Sequence, residues 1–147
     1  MIVYLDTSAF AKLILEEPSS HDVKAWFAEA TQAISSVITY SEASAALFRR
    51  DRDAGASPAR LRAWVSELDS RWEHTFSIPV AEMLAGGLAI AHGLRGMDAV
   101  QLSAAITLRS EVLTTSPRSE IVFAAFDSQL LEAAEREGFA TLGRPLN

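Results

Sequence analysis

Four carboxylates, Asp6, Glu42, Asp98 and Asp127, stand where helices are expected to begin. Asp6 follows the apolar run Met1-Ile2-Val3-Tyr4-Leu5, which reads as a buried parallel strand, and Asp127 follows Ile121-Val122-Phe123-Ala124-Ala125-Phe126. Glu42 lies just past Ala33-Ile34-Ser35-Ser36-Val37, and Asp98 opens the apolar stretch from Ala99 to Leu108. In a parallel sheet, ligands bind outside the carboxyl ends of the strands, beside helix N-termini. Acids at four such positions can converge although they span most of the chain. Carboxylates gathered there repel one another, and burial raises their pKa values unless a cation offsets the charge. The chemistry this favours is a site for a divalent metal.

Each acid also has a purely structural reading. Asp is a favoured helix cap because its side chain accepts a backbone N–H that the first turn leaves unpaired. Thr39-Tyr40-Ser41-Glu42 fits a capping box, with Thr39 as cap and Glu42 reaching back. Asp98-Ala99-Val100-Gln101 resembles the same device, and Asp127 can cap the helix that follows it. What favours a site is the set: all four lie at the edge where ligands bind, and Asp6 ends a strand as well as starting a helix.

The elements that must position these acids follow from apolar periodicity. After the first strand, Ser8 to Leu15 reads as a short helix and Ser20 to Ala30 as a second, burying Val23, Trp26 and Phe27. A helix from Thr39 to Asp53 is stopped by Gly55, and Ser57-Pro58 starts another. That helix carries the stripe Leu61, Trp64, Val65, Leu68 and Trp72, more apolar surface than a small sheet needs, so the pair from Tyr40 to Trp72 is a candidate partner surface. Thr75 to Ile78 is a brief strand, with a helix expected from Pro79. Gly86-Gly87 inside that helix points to close backbone packing. The last elements are the strand Ile121–Phe126, a helix from Ser128 to Glu137 and a strand Phe139–Leu142. Alternating strands and helices imply an α/β fold: a central parallel sheet of about five short strands with helices on both faces.

At 147 residues and 49% apolar content the chain reads as a single domain, 1–147, with one substantial core. It has no Cys, which excludes disulfides, thiolate metal sites and cysteine nucleophiles. His21, His74 and His92 lack ligand spacing. No signal peptide or membrane-spanning run is read in the sequence, which argues for a cytoplasmic protein with no membrane partner. The net charge of −6 is unlike the basic footprint of most nucleic-acid binders. Metal would cancel the charge of the four acids, however, and Arg49, Arg50, Arg52, Arg60 and Arg62 cluster against only Asp51 and Asp53.

The motifs Val3-Tyr4-Leu5-Asp6-Thr7-Ser8-Ala9, Ser41-Glu42-Ala43, Gly96-Met97-Asp98-Ala99-Val100-Gln101-Leu102-Ser103-Ala104-Ala105 and Phe126-Asp127-Ser128-Gln129-Leu130-Leu131, in that order, resemble the PIN domain. The nearest likeness is to the VapC toxins of bacterial type II toxin–antitoxin modules, and it covers essentially the whole chain. The resemblance implies metal-binding acids at Asp6, Glu42, Asp98 and Asp127, with a supporting hydroxyl at Thr7 or Ser8. It also implies RNA as substrate, cut in single-stranded loops, and an antitoxin whose C-terminal segment wraps the toxin. Two positions depart from the family pattern. Gln101 stands where a histidine is common, and Ala125 stands where Thr or Ser often precedes the fourth acid by two positions.

The expected cofactor is Mg²⁺, or Mn²⁺, which takes oxygen ligands and is typically held by one or two carboxylates plus substrate phosphate. Asp6 and Asp98 are the expected primary ligands, with Glu42 and Asp127 completing a second or water-mediated site and either able to accept a proton. Ser8 and Arg49 are assigned to substrate; Arg49 lies two turns beyond Glu42, roughly 10 Å along the helix axis, which suits a phosphate contact. A VapB-like antitoxin, RNA and a second copy of the chain are the expected partners, the dimer forming a heterotetramer or larger assembly with antitoxin. The alternatives are a PIN-fold nuclease of RNA processing, a phosphoaspartyl phosphatase or receiver with Asp6 as nucleophile, and a non-catalytic binding module. The phosphoaspartyl reading needs a late lysine, and the chain has only Lys12 and Lys24.

Overall fold

The computed structural model describes residues 1–144. Five strands, β1 (Ile2–Leu5), β2 (Gln32–Ser36), β3 (Thr75–Ile78), β4 (Ile121–Ala124) and β5 (Ala140–Leu142), form one sheet in the order β3-β2-β1-β4-β5. Every pairing is parallel. The helices among the described residues are α1 (Thr7–Ala11), α2 (Ser20–Glu29), α3 (Thr39–Asp53), α4 (Pro58–Glu73), α5 (Glu82–His92), α6 (Gly96–Thr115) and α7 (Ser128–Arg136). None is long and apolar enough to cross a membrane.

The central strands β1 and β4 are buried at every residue, as a parallel sheet covered on both faces requires. Side chains alternate across a strand, so β1 divides itself between two cores. Val3 and Leu5 pack with Phe10, Leu13, Val23, Leu47 and Leu68 beneath α1 to α4. Ile2 and Tyr4 pack with Leu88, Leu102, Phe123 and Leu130 beneath α5 to α7. The chain leaves β1 for β2 on one side, while β4 lies on the other. This reversal opens a crevice beyond the carboxyl ends of β1 and β4, the usual ligand position in such sheets.

Several local expectations are corrected. The stripe on α4 is divided: Leu68 is fully buried and Leu61, Trp64 and Trp72 pack in part against the same cluster, while Leu61 and Val65 line an open groove with Arg62 and Asp69. Trp72 meets Phe10 edge-on at 5.6 Å and Tyr40 at 5.7 Å. The short α1 and the turn after it supply the cover that the sheet alone lacks. The helix expected from Pro79 begins at Glu82. At Gly86 and Gly87 an added Cβ would meet nothing within 4 Å, so no packing among the described residues explains them. Gly143 is different. Its φ is +102° and a Cβ there would collide with the Ala125 carbonyl, while Leu142 O accepts the Ala125 N–H at 3.1 Å. Leu142 and Gly143 thereby brace the segment leading to Asp127.

Candidate active site

Asp6 ends β1 at the floor of the crevice and is 4% exposed. It caps α1 by accepting the Ala9 N–H at 2.8 Å, and the Ser8 hydroxyl reaches both its carboxylate oxygens, at 2.7 and 2.9 Å. Capping and site formation are compatible, because one carboxylate has several lone pairs. Burial pushes the Asp6 carboxyl up from 3.8 to about 7, against the lowering effect of the Ala9 and Ser8 hydrogen bonds, and the nearby Asp98 adds to the rise.

Glu42 is not part of a capping box. The N-cap of α3 is Ile38, and Thr39 already lies inside the helix. Glu42 Oε1 instead accepts from Thr7 Oγ1 at 2.6 Å and from Gln101 Nε2 at 3.2 Å. The two hydroxyl candidates thus divide the work: Thr7 holds Glu42 and Ser8 holds Asp6. Ser8 Oγ also accepts the Phe126 N–H at 2.9 Å, fixing the end of β4 relative to β1. Those contacts place Ser8 between Asp6 and the end of β4.

Asp98 is the third residue of α6, whose N-cap is Arg95, so the capping device read there is absent. Its carboxylate belongs to Arg95, whose Nε donates to Oδ2 at 2.8 Å. Asp127 does cap α7, accepting the Leu130 N–H at 2.8 Å through Oδ1. Its other oxygen faces Arg95 Nη2 at 3.4 Å. The Asp98 hydrogen bond, then the Asp98 and Asp127 charges, hold the Arg95 guanidinium protonated above its ordinary range.

Two residues at this site escape the sequence reading. Arg95 gives no signal beyond lying three positions before Asp98. Gln101 appears only as a departure from the family pattern, yet it is 2% exposed and joins three elements. It accepts from Tyr4 Oη at 2.7 Å and donates to Thr7 and Thr39, each at 2.9 Å, as well as to Glu42. Thr39 in turn accepts from Ser35 of β2 at 2.7 Å. Burial, followed by the Asp6 and Glu42 charges, keeps the Tyr4 phenol firmly protonated as the donor this network needs.

The four acids therefore border one crevice, but they are not drawn into a ligand shell. Among the described residues no three His, Asp or Glu side chains are arranged to hold one ion. The donor set nevertheless fits a hard divalent cation: the groups are carboxylate oxygens, one of them buried, and a guanidinium already sits between two others. Mg²⁺ keeps several waters and needs only one or two carboxylates.

Arg49 is exposed on α3 and lines a groove with Ser8, Lys12, Arg50 and Phe126. Much of the neighbouring basic cluster is structural. Arg60 pairs with the buried Asp51 at 2.6 Å, Arg50 with Glu17 at 3.5 Å and Arg52 with Asp53 at 3.0 Å. Lys12 pairs with Glu17 and Lys24 with Glu16, so both lysines are committed away from Asp6.

The PIN domain family model matches residues 3–135. Ribonucleases VapC45 and VapC49 of Mycobacterium tuberculosis are each 34% identical over 110 residues, covering 73% of this chain and 76% of the relative. Ribonuclease VapC47 of the same organism is 27% identical over 145 residues, 95% of each chain. The crystal structure of PAE2754 from Pyrobaculum aerophilum superposes with a TM-score of 0.63 at 19% identity, covering 96% of this chain and 83% of the other, and supports the fold.

Proposed function

The chain belongs to the PIN domain family and is VapC-like, and from that premise we propose that it is a metal-dependent endoribonuclease acting as one domain over residues 1–147. The observation that carries this reading is the meeting of Asp6, Glu42, Asp98 and Asp127 at one sheet edge, where Asp6 is buried and feels the charge of Asp98. Ribonuclease is the activity in the names of the relatives, and RNA is the substrate class proposed here.

In this mechanism Asp6 and Asp98 would hold Mg²⁺ or Mn²⁺, and Glu42 and Asp127 would complete the site. When bound, the ion supplies charge neutralisation at the phosphate and a more acidic water. Thr7 and Gln101 orient Glu42 through Oε1, and no hydrogen bond among the described residues engages Oε2. Oε2 is therefore the acceptor for the proton of the attacking water. Ser8 and the Ala9 N–H fix Asp6 so that little reorganisation accompanies the reaction. Arg49, exposed along the groove, is placed for a backbone phosphate rather than for the reacting atoms.

The VapC likeness also supports a VapB-like antitoxin as partner, with the protein as a homodimer that forms a heterotetramer or larger complex. The helical pair from Tyr40 to Trp72 is the docking surface in this reading, with Leu61 and Val65 lining an open groove on α4.

The test is cleavage of single-stranded RNA. Activity is expected with Mg²⁺ or Mn²⁺, none with excess EDTA, and none for Asp98→Asn despite a native far-UV spectrum. Robust cleavage in excess chelator overturns the metal-dependent mechanism. Cleavage of DNA in place of RNA overturns the substrate class.

A further inference from the structure

Arg95 occupies a position that the nuclease reading leaves without a role. It is the N-cap of α6, its own side chain is 75% exposed, and its guanidinium nonetheless turns inward to bridge Asp98 and Asp127. No carboxylate in the site is bridged in this way on the Asp6 and Glu42 side, where the partners are Ser8, Thr7, Gln101 and the Ala9 N–H. A long exposed arginine loses rotamer freedom when held, and an exposed ion pair returns little. What makes the inward position favourable is the combined field of Asp98, Asp127 and Glu42.

A divalent ion held by Asp98 would compete with Arg95 for the same negative charge, because two cations at that edge repel one another. The guanidinium, tethered at a helix N-terminus and facing solvent, has a free path outward. In that outward position it remains beside the site, and a planar fork of N–H donors is well matched to a phosphate.

We propose that Arg95 is the exchangeable cation of the acidic site: it bridges Asp98 and Asp127 in the metal-free protein, is displaced when a divalent ion binds Asp98, and then holds the RNA phosphate. This rests on the nuclease reading of the site, and it gives that site a resident competitor for metal and a phosphate ligand in one side chain.

The experiment compares the wild type with Arg95→Gln and Arg95→Lys. Mn²⁺ binding is measured by calorimetry without RNA, and KM for a labelled single-stranded RNA is measured in saturating Mn²⁺. Arg95→Gln is expected to bind Mn²⁺ about two- to fivefold more tightly, the scale of an exposed ion pair. Its KM is expected to rise roughly tenfold, the scale of one charge-assisted hydrogen bond. Arg95→Lys, which keeps the charge and loses the fork, should bind Mn²⁺ like the wild type while its KM rises. Unchanged Mn²⁺ affinity in Arg95→Gln overturns the competition, and an unchanged KM overturns the phosphate role. If the wild type binds Mn²⁺ but cleaves no RNA, the nuclease reading fails, and the calorimetric comparison still decides the competition.

Discussion

The two halves of the acidic crevice are held by opposite means. Asp6 and Glu42 are fixed by neutral donors: Ser8, Thr7, Gln101 and the Ala9 N–H, with Tyr4 and Thr39 behind them. Asp98 and Asp127 are joined by one exposed guanidinium, Arg95. The first half is preorganised and keeps its geometry whatever the ionic conditions. In the second, Asp127 is fixed as the cap of α7, but its link to Asp98 is an exposed ion pair, which salt and metal can rearrange. Under the nuclease reading, fixed dipoles would suit residues that stay in place through the reaction, and an exchangeable cation would suit a side that takes up metal and phosphate.

The substitution expected to have the largest effect is Asp6→Asn. Asn caps about as well as Asp, so α1 should keep its start while the buried charge is lost. Under the nuclease reading activity falls by ~10³, the scale of several kcal/mol of charge stabilisation. Stability should move the other way. The Asp6 carboxyl lies at about 7 in the folded protein against 3.8 ordinarily. The folded state therefore binds this proton more tightly than the unfolded chain does. In chelator, the wild type should lose stability as pH rises from about 4 to about 7 and level off above, by up to ~4 kcal/mol at 1.36 kcal/mol per unit. Urea titrations at pH 5 and pH 8 check this, and Asp6→Asn should flatten the difference. An unchanged pH slope would place the titrating group outside the buried half.

Gln101→Leu tests whether the neutral network holds that half. It leaves Tyr4 Oη, at the centre of the sheet, without its acceptor and releases Thr7 and Glu42. A buried hydroxyl left unpaired costs about 1–3 kcal/mol, so denaturant midpoints should report a loss of about 2–3 kcal/mol in total, with Glu42-dependent activity falling too. A loss as small as that of a surface substitution would mean that water replaces the amide, and the contrast between the halves would weaken.

Asp6 and Asp127 were legible in the sequence because each follows a strand that is apolar on both faces, a pattern that locates the sheet edge without tertiary information. The parallel sheet with two helical layers follows from the same runs. Asp98 was placed at the right edge for the wrong reason. Its helix starts two residues earlier, and Arg95-Gly96 carries none of the usual cap chemistry. Gln101 was opaque as a hub because its partners at Tyr4, Thr7 and Thr39 are far away in sequence, and one polar residue in an apolar helix has no periodicity of its own. The division of the α4 stripe between core and groove is not legible in the sequence, because the cover on Trp72 comes from Phe10 and Tyr40 on other helices, and no local pattern reports that packing.

The smallest effect is expected at Asp127, and it is the most discriminating. Asp127 has two jobs on separate oxygens: Oδ1 caps α7 and Oδ2 faces Arg95 at 3.4 Å. Asp127→Asn keeps the cap and replaces only the charged oxygen. An exposed pair at that length contributes little, so in chelator the stability should change by less than about 0.5 kcal/mol. Asp127→Ala removes both jobs and should cost ~1 kcal/mol, the usual size of a lost cap. The difference between the two variants isolates the cap from the charge. If Asp127→Asn costs as much as Asp127→Ala, the guanidinium bridge is a structural strut. The exposed half of the crevice is then as firmly built as the buried half, and Arg95 is not free to leave it. If Asp127→Asn is neutral in chelator yet loses part of the metal-induced rise in melting temperature, the charge is reserved for the bound state. That outcome is the one expected of a half whose geometry is completed by its ligand.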